Sequence, residues 1–295
     1  MTARVLVTGA AGLLGRHVVR MLADAGCDVR ALIGERGDRT PIERYVSRVV
    51  VGNAADPVLA REAARDIDAV VHLAAIPAPG LAAADIVFGR NTLATFCVLD
   101  AAIAGGASCA VVASSFAATG LPFSPHGPQP PYVPMDEDAP TQAADPYALS
   151  KMTDELTAAM LSRRSGITVT SLRMPYLGTP DDRLPDRAAK LLDDPALGTA
   201  ELWSYLDTRD AARAIVMALA RKGGDAVVVG VAAPDTLLPY PTEQLLDAYL
   251  PGVPRRRPLS GREVPYDITR SAAILGFSAE YLWPQESRDL PGSSQ

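Results

Sequence analysis

The chain of 295 residues is 48% hydrophobic and 21% charged, with 23 glycines and 25 prolines, a composition that excludes collagen, coiled coil and extended disorder. Its net charge of −6 comes with basic residues scattered apart from Arg255, Arg256 and Arg257, so no basic stripe is available to a phosphate backbone and a nucleic-acid partner is not expected. No basic start followed by an apolar leader opens the chain, and no run of about 18 apolar residues follows. No membrane partner is therefore expected, and the reading is a soluble, cytoplasmic protein. Cys27, Cys97 and Cys109 lack Cys-x-x-Cys spacing, and His17, His72 and His126 are dispersed, so neither a disulfide framework nor a metal site is expected.

In chain order, short β-branched runs alternate with helical stretches. RVLVTG, LLGRHVVRMLADAG and CDVRALI are followed by RVVVGN, a helix near Asp56 to Arg65, DAVVHLAA, a long helix from about Asp85 to Ala104, and CAVVASS. Strands that read as unbroken apolar runs are covered on both faces, which predicts an α/β, Rossmann-type doubly wound parallel sheet. PYALSKMTDELTAAMLSRRSG and ITVTSLR add one more helix and strand, after which Pro175, Pro180, Pro185 and Pro195 break the rhythm. The expected organisation is a dinucleotide-binding domain over 1–174, rejoined by about 206–231. A small, sequence-interleaved C-terminal substrate domain takes 175–205 and 232–283, and the polar tail 284–295 is expected to be disordered. Leu121 to Pro140 holds seven prolines in twenty residues; such a loop is either a solvated connector or a semi-rigid flap carrying Phe123, His126 and Tyr132 toward a substrate, and its position between two candidate catalytic segments favours the flap.

Thr8, Gly9, Gly12 and Gly15 lie in TGAAGLLG, between the first strand and the first helix. Such a segment supplies a tight turn, close backbone approach to a pyrophosphate, and a helix N-terminus with free N–H groups at Leu13 and Leu14. Random placement gives about 0.01 occurrences of this pattern in a chain of this composition. A carboxylate for the adenosine ribose belongs at the end of the second strand, where Ile33 and Gly34 stand. Glu35 would favour NAD(H), whereas Arg36 or Arg39 would pair with a 2′-phosphate. With no carboxylate at the strand end itself, NADP(H) is slightly preferred over NAD(H). Asn53, after the third strand, is placed to hydrogen-bond adenine, the alternative being a plain loop asparagine, and Ala54 beside it is a further cofactor contact.

Tyr147 and Lys151 stand at i, i+4 and share one helix face. Tyrosine, with a pKa of about 10, is a poor base at neutral pH, and a neighbouring ammonium favours its phenolate. Only three of the chain's basic residues are lysines, at 151, 190 and 222, which adds weight to the pairing. Ser115 closes the strand VVASS, where doubly wound sheets place ligands; Ser114 competes for its role of orienting a substrate oxygen.

TGAAGLLG, HLAA, Asn91 in GRNTLATFCVLDAA, VVASS, DPYALSK, LRMPYLG and YLDTRDAARA, in this order, resemble an extended short-chain dehydrogenase/reductase of the NAD-dependent epimerase/dehydratase superfamily, over roughly residues 3–280. The resemblance implies Tyr147 as general acid/base, Lys151 as its electrostatic partner and ribose ligand, Ser115 as the substrate-positioning hydroxyl and Asn91 as a supporting polar group. It adds Leu73, Ala74, Ala75 and Pro175 to the cofactor contacts, and Phe116, Ala117 and Tyr176 to the substrate contacts. The family's dehydratases carry Asp–Glu after the catalytic hydroxyl, and Phe116–Ala117 stand there, so elimination is not expected. The connection from LRMPYLG to YLDTRD is also shorter than nucleotide-sugar enzymes of this kind need. The expectation is an NAD(P)-dependent dehydrogenase or ketoreductase that interconverts a secondary alcohol or hemiacetal and a carbonyl on a small sugar-like or natural-product substrate. The alternative is a nucleotide-sugar epimerase with retained NAD, in which Arg255–Arg257 would hold a diphosphate. The helices around Asp85–Ala104 and Tyr147–Arg164 resemble those that pair in family dimers, which makes a homodimer possible.

Overall fold

The computed structural model describes residues 3–291. Seven parallel strands form the main sheet: β1 (Arg4–Thr8), β2 (Asp28–Ile33), β3 (Arg48–Val51), β4 (Ala69–His72), β5 (Cys109–Ser115), β6 (Thr168–Met174) and β9 (Ala226–Gly230). Their order is β3-β2-β1-β4-β5-β6-β9, which puts the reversal of strand order between β1 and β4, where doubly wound sheets open a crevice. Two short strands, β7 (Tyr176–Gly178) and β8 (Tyr205–Asp207), pair in parallel beyond it.

Alternation along each strand builds two cores. Val5 and Val7 of β1 face one side, with α1 (Leu13–Asp24) and α6 (Thr208–Leu219). Leu6 faces the other, with α2 (Pro57–Ala63), α3 (Ala84–Ala104) and α4 (Pro146–Ser165). Both faces are apolar because both are covered. Among the described residues α3 is the helix long and apolar enough to cross a membrane; here it packs on the sheet and on α4.

A third core gathers α5 (Leu184–Asp193), α7 (Thr242–Tyr249), Trp203, Tyr205, Val133, Met135 and Tyr266. α8 (Thr269–Leu275) packs near α6 and β9. The proline-rich segment is less of a flap than expected. Val133 N–H donates to Pro254 O at 2.9 Å and Met135 N–H to Pro265 O at 3.0 Å, and both side chains are buried, so this half is strapped into the third core. The tail is also corrected. Through residue 291 it is docked: Arg288 N–H donates to Pro239 O, Leu290 N–H donates to Gln244 Oε1 at 2.7 Å, and the Leu290 side chain is buried. A single leucine among polar residues gave too weak a periodic signal to show this. Residues 292–295 lie outside the described residues.

Candidate active site

A cleft of about 1400 Å³ runs along the C-terminal ends of the strands. At one end, Gly9 adopts φ +66°, and a Cβ there would stand 2.9 Å from Ala74 N. A Cβ on Gly15 would stand 2.3 Å from Gly9 O, so the turn and the helix close on each other only without side chains. Gly12 caps α1 and offers no side chain to the first-turn N–H groups, which leaves them for an anion. This cradle suits the pyrophosphate of a nicotinamide dinucleotide.

The cleft is lined by Gly9, Gly12, Leu13, Leu14, Gly15, Glu35, Arg36, Asn53, Ala54, Leu73, Ala74, Ala75, Asn91, Ser115, Phe116, Ala117, Tyr147, Lys151, Pro175 and Tyr176. Two residues expected at the cofactor are not there. Thr8 is fully buried behind the turn; its hydroxyl accepts from Leu73 N–H and Ala74 N–H, each at 3.2 Å, and lies 2.8 Å from His72 Nδ1. With both lone pairs taken, it donates to a neutral imidazole. Burial and the nearby Lys151 charge push the His72 pKa down to about 3. Thr8 thus braces the loop after β4 against β1. Arg39 lies outside the cleft, 3.6 Å from Glu43, because the chain turns back after Asp38, whose carboxylate accepts from Thr40 N–H at 2.9 Å.

Local sequence places Tyr147 and Lys151. Asp145 accepts from Tyr147 N–H and Ala148 N–H, both at 2.9 Å, and Pro146 follows it, so α4 starts there and Tyr147 occupies its first turn. Tyr147 packs edge-on against Phe123, ring centroids 5.8 Å apart. Phe123 is the part of the proline-rich segment that lines the cleft. His126 is exposed and not among the lining residues, and Tyr132 is held by Asp136 and covered by Arg256. Lys151 Nζ lies 5.8 Å from the Tyr147 ring centroid and donates to Ala113 O at 2.8 Å.

The two serines separate cleanly. Ser114 is buried and donates to Glu155 Oε1 at 2.5 Å, whereas Ser115 is half-buried, accepts from Ala117 N–H at 3.1 Å and has an O–H left to give. Asn91 lines the cleft, but its amide is committed to protein: it accepts from Ile76 N–H at 2.8 Å and donates to Ile76 O and Ser150 Oγ, each at 3.1 Å. The Phe116 ring packs against Tyr266, at 5.0 Å, which turns it into the third core.

Sequence reasoning missed Asp38, Arg90, Arg183 and Glu201 on the cleft wall and Asp154 and Glu155 behind it. Glu155 forms a bidentate pair with Arg173, both bonds at 2.8 Å. The i+4 spacing of Glu155 from Lys151 was the signal available. The three consecutive arginines are neutralised outside the cleft, Arg255 by Glu243 and Asp247, Arg256 by Asp136 and Arg257 by Glu263.

The profile of the NAD dependent epimerase/dehydratase family matches residues 5–230. The chain belongs to this family. It is similar to a UDP-glucose 4-epimerase of Azospirillum brasilense, 33% identical over 52% of this chain and 42% of that protein. It is also similar to an L-arabinose 1-dehydrogenase (NAD(P)(+)) of Haloferax volcanii, 33% identical over 61% of this chain and 69% of that one. The matched part spans about half the length of the UDP-glucose 4-epimerases. A crystal structure of a short-chain dehydrogenase/reductase superfamily protein from Agrobacterium tumefaciens with bound NAD is 25% identical, with a TM-score of 0.69, covering 95% of this chain and 93% of that one.

Proposed function

We propose that this chain is an NAD(P)-dependent dehydrogenase of a small sugar or sugar acid, oxidising a secondary alcohol or hemiacetal to a carbonyl. The observation that carries the reading is the charge of the cleft beyond β5 and β6. Ser115 pairs in register with Met174, so Tyr176 and Arg183, which follow β6, belong to the substrate end. Arg36 follows β2, four strand spacings away, roughly 19 Å. At the substrate end Arg183 stacks on Tyr176 at 4.6 Å and, among the described residues, makes no salt bridge, its charge being felt by the adjacent Asp182 carboxylate, whereas Arg187 is bound to Glu201. At that end one guanidinium, that of Arg183, suits one carboxylate; Arg90, on the cleft wall beside Asn91, is a second guanidinium without a salt bridge among the described residues. The arginine triplet that would have held a diphosphate is already paired with carboxylates outside the cleft.

The Gly9–Gly15 cradle would hold the cofactor, whose nicotinamide would accept the hydride from the substrate carbon. Ser115 would donate to the substrate oxygen, Tyr147 would take the proton of the substrate hydroxyl, and Lys151 would stabilise the Tyr147 oxygen and bind the ribose hydroxyls. NADP(H) is favoured over NAD(H), supported by the absence of a carboxylate at the end of β2 and by Arg36, an exposed cleft-wall residue that no carboxylate of the described structure pairs. The protein is further proposed to be a homodimer through α3 and α4, supported by the exposed apolar residues Leu93, Phe96, Leu149, Leu156 and Met160 on these two helices.

The test is net reduction of NAD+ and NADP+ with a panel of aldoses, aldonates and uronates. Turnover with one of them, abolished in Tyr147→Phe while cofactor affinity is retained, is the expected result. Tightly retained NAD with no net reduction, together with interconversion of a nucleotide sugar, overturns the reading in favour of an epimerase.

A further inference from the structure

We propose that Asp154 is the counter-ion that keeps the buried ammonium of Lys151 charged, and thereby keeps it able to stabilise the Tyr147 phenolate. The inference rests on the reading of Lys151 as electrostatic partner of Tyr147. The Lys151 side chain is 5% exposed and that of Asp154 1%, with Nζ 3.3 Å from Oδ2 one helical turn on. An ammonium withdrawn from water this far loses its proton unless a negative charge compensates it.

Among the surrounding groups Asp154 is the carboxylate in contact with Lys151 and the largest opposing charge, with Tyr147 and then Glu155 adding to it. From β5, Ala113 gives a carbonyl dipole and Ser114 is bound to Glu155. The Glu155 carboxylate, next along the helix, is matched by Arg173 of β6. From β4, His72 is neutral and bound to Thr8. From α3, Asn91 is committed to Ile76 and Ser150, and Thr95 lies against the Asp154 carboxylate. Burial pushes the Lys151 ammonium down, and Asp154 together with Tyr147 more than offsets it, so its pKa stands above the usual lysine value; burial raises the Asp154 carboxyl in turn, and the Lys151 charge opposes that rise and favours the ionised pair. The order along the helix is also favourable. Lys151 lies four residues from Tyr147, about 6 Å of rise, and Asp154 seven residues, about 10 Å, so Tyr147 meets the positive end of the pair.

A carboxylate in this position is a positioning residue: it touches neither substrate nor cofactor and acts through the lysine. Its effect is readable without a substrate. With three lysines in the chain, the cofactor-free protein labelled at lysine 13Cε gives three NMR signals, of which Lys190→Arg and Lys222→Arg identify that of Lys151. In the unsubstituted protein the Lys151 signal titrates above the usual lysine value. In Asp154→Asn its midpoint falls by at least one pH unit, a tenfold loss of proton affinity, and in Asp154→Glu it is restored. An unchanged midpoint in a folded Asp154→Asn protein overturns the proposal. Should Asp154→Asn not fold, Lys151→Gln/Asp154→Asn decides: recovery of the folded protein supports an uncompensated charge as the fault, and failure to recover overturns it. Failure of the dehydrogenase reading shows in Tyr147→Phe and leaves this titration untouched.

Discussion

Asn91→Ala tests whether that residue works as a clamp. Its amide ties three pieces together: α3, which carries it, the loop after β4 through both polar groups of Ile76, and α4 through Ser150, whose hydroxyl in turn donates to Tyr147 O at 2.8 Å. Truncation leaves Ile76 N–H, Ile76 O and one Ser150 lone pair without their partner. A buried group stranded in this way costs about 1–3 kcal/mol; Ile76 is half-buried, so water recovers part of that, and the expected loss is about 2–4 kcal/mol. The same loop lines the cleft from Leu73 to Ala78, so its loosening also weakens dinucleotide binding, by about fivefold, or 1 kcal/mol. Urea unfolding followed by tryptophan fluorescence reads the first effect and NADPH or NADH titration the second. Asn91→Asp is expected to behave as badly, since its second oxygen would face Ile76 O. A loss below about 0.5 kcal/mol with unchanged cofactor affinity would refute the clamp.

His72 gives a pH dependence with a definite sign. Its folded pKa, about 3, lies below the unfolded value of about 6.5, so its contribution is complete above pH 6.5 and is lost as the pH falls toward 3. Between pH 6.5 and 5.5 this removes about 1 kcal/mol, a decline that unfolding curves should show in the unsubstituted protein and not in His72→Gln; equal slopes would sink the argument. Leu156→Glu places a charge on the apolar outer face of α4 and should shift the protein from dimer to monomer in sedimentation velocity, an idea ended by an unsubstituted protein that is already monomeric. Arg183→Ala should raise KM about tenfold for sugar acids, the worth of one charged hydrogen bond, with little change for neutral sugars; equal rises for both would remove Arg183 from carboxylate recognition.

Local signals made the sheet and the cleft legible. Alternation in β1, the glycines whose missing side chains let β1, the loop after β4 and α1 meet, and the Asp145–Pro146 start of α4 each act within a few residues, so sequence alone placed Gly9, Gly15 and Tyr147. What sequence reasoning missed was decided across the fold. Arg39 is the exception, turned out of the cleft by the local Asp38–Thr40 contact; Thr8 turns its hydroxyl inward because His72 and the loop after β4 lie there, and Tyr132 meets Arg256 from far along the sequence. Such choices depend on which distant segment arrives beside a side chain, and short-range spacing carries no record of it.

The small β7–β8 pair has a wider consequence. Tyr176 pairs with Tyr205 and Gly178 with Asp207, so the chain leaves the sheet at β7 and returns one strand spacing away at β8, directly before α6. Everything from 179 to 204, Arg183 and Glu201 included, is a cassette whose two ends are clasped together whatever lies between them. Exchanging it alters the cleft mouth and leaves the dinucleotide cradle and the Tyr147 helix in place. New substrate preferences can arise there by replacement of one contiguous stretch that keeps the apolar residues, Leu184, Leu191 and Trp203 among them, which the third core shares with Phe116.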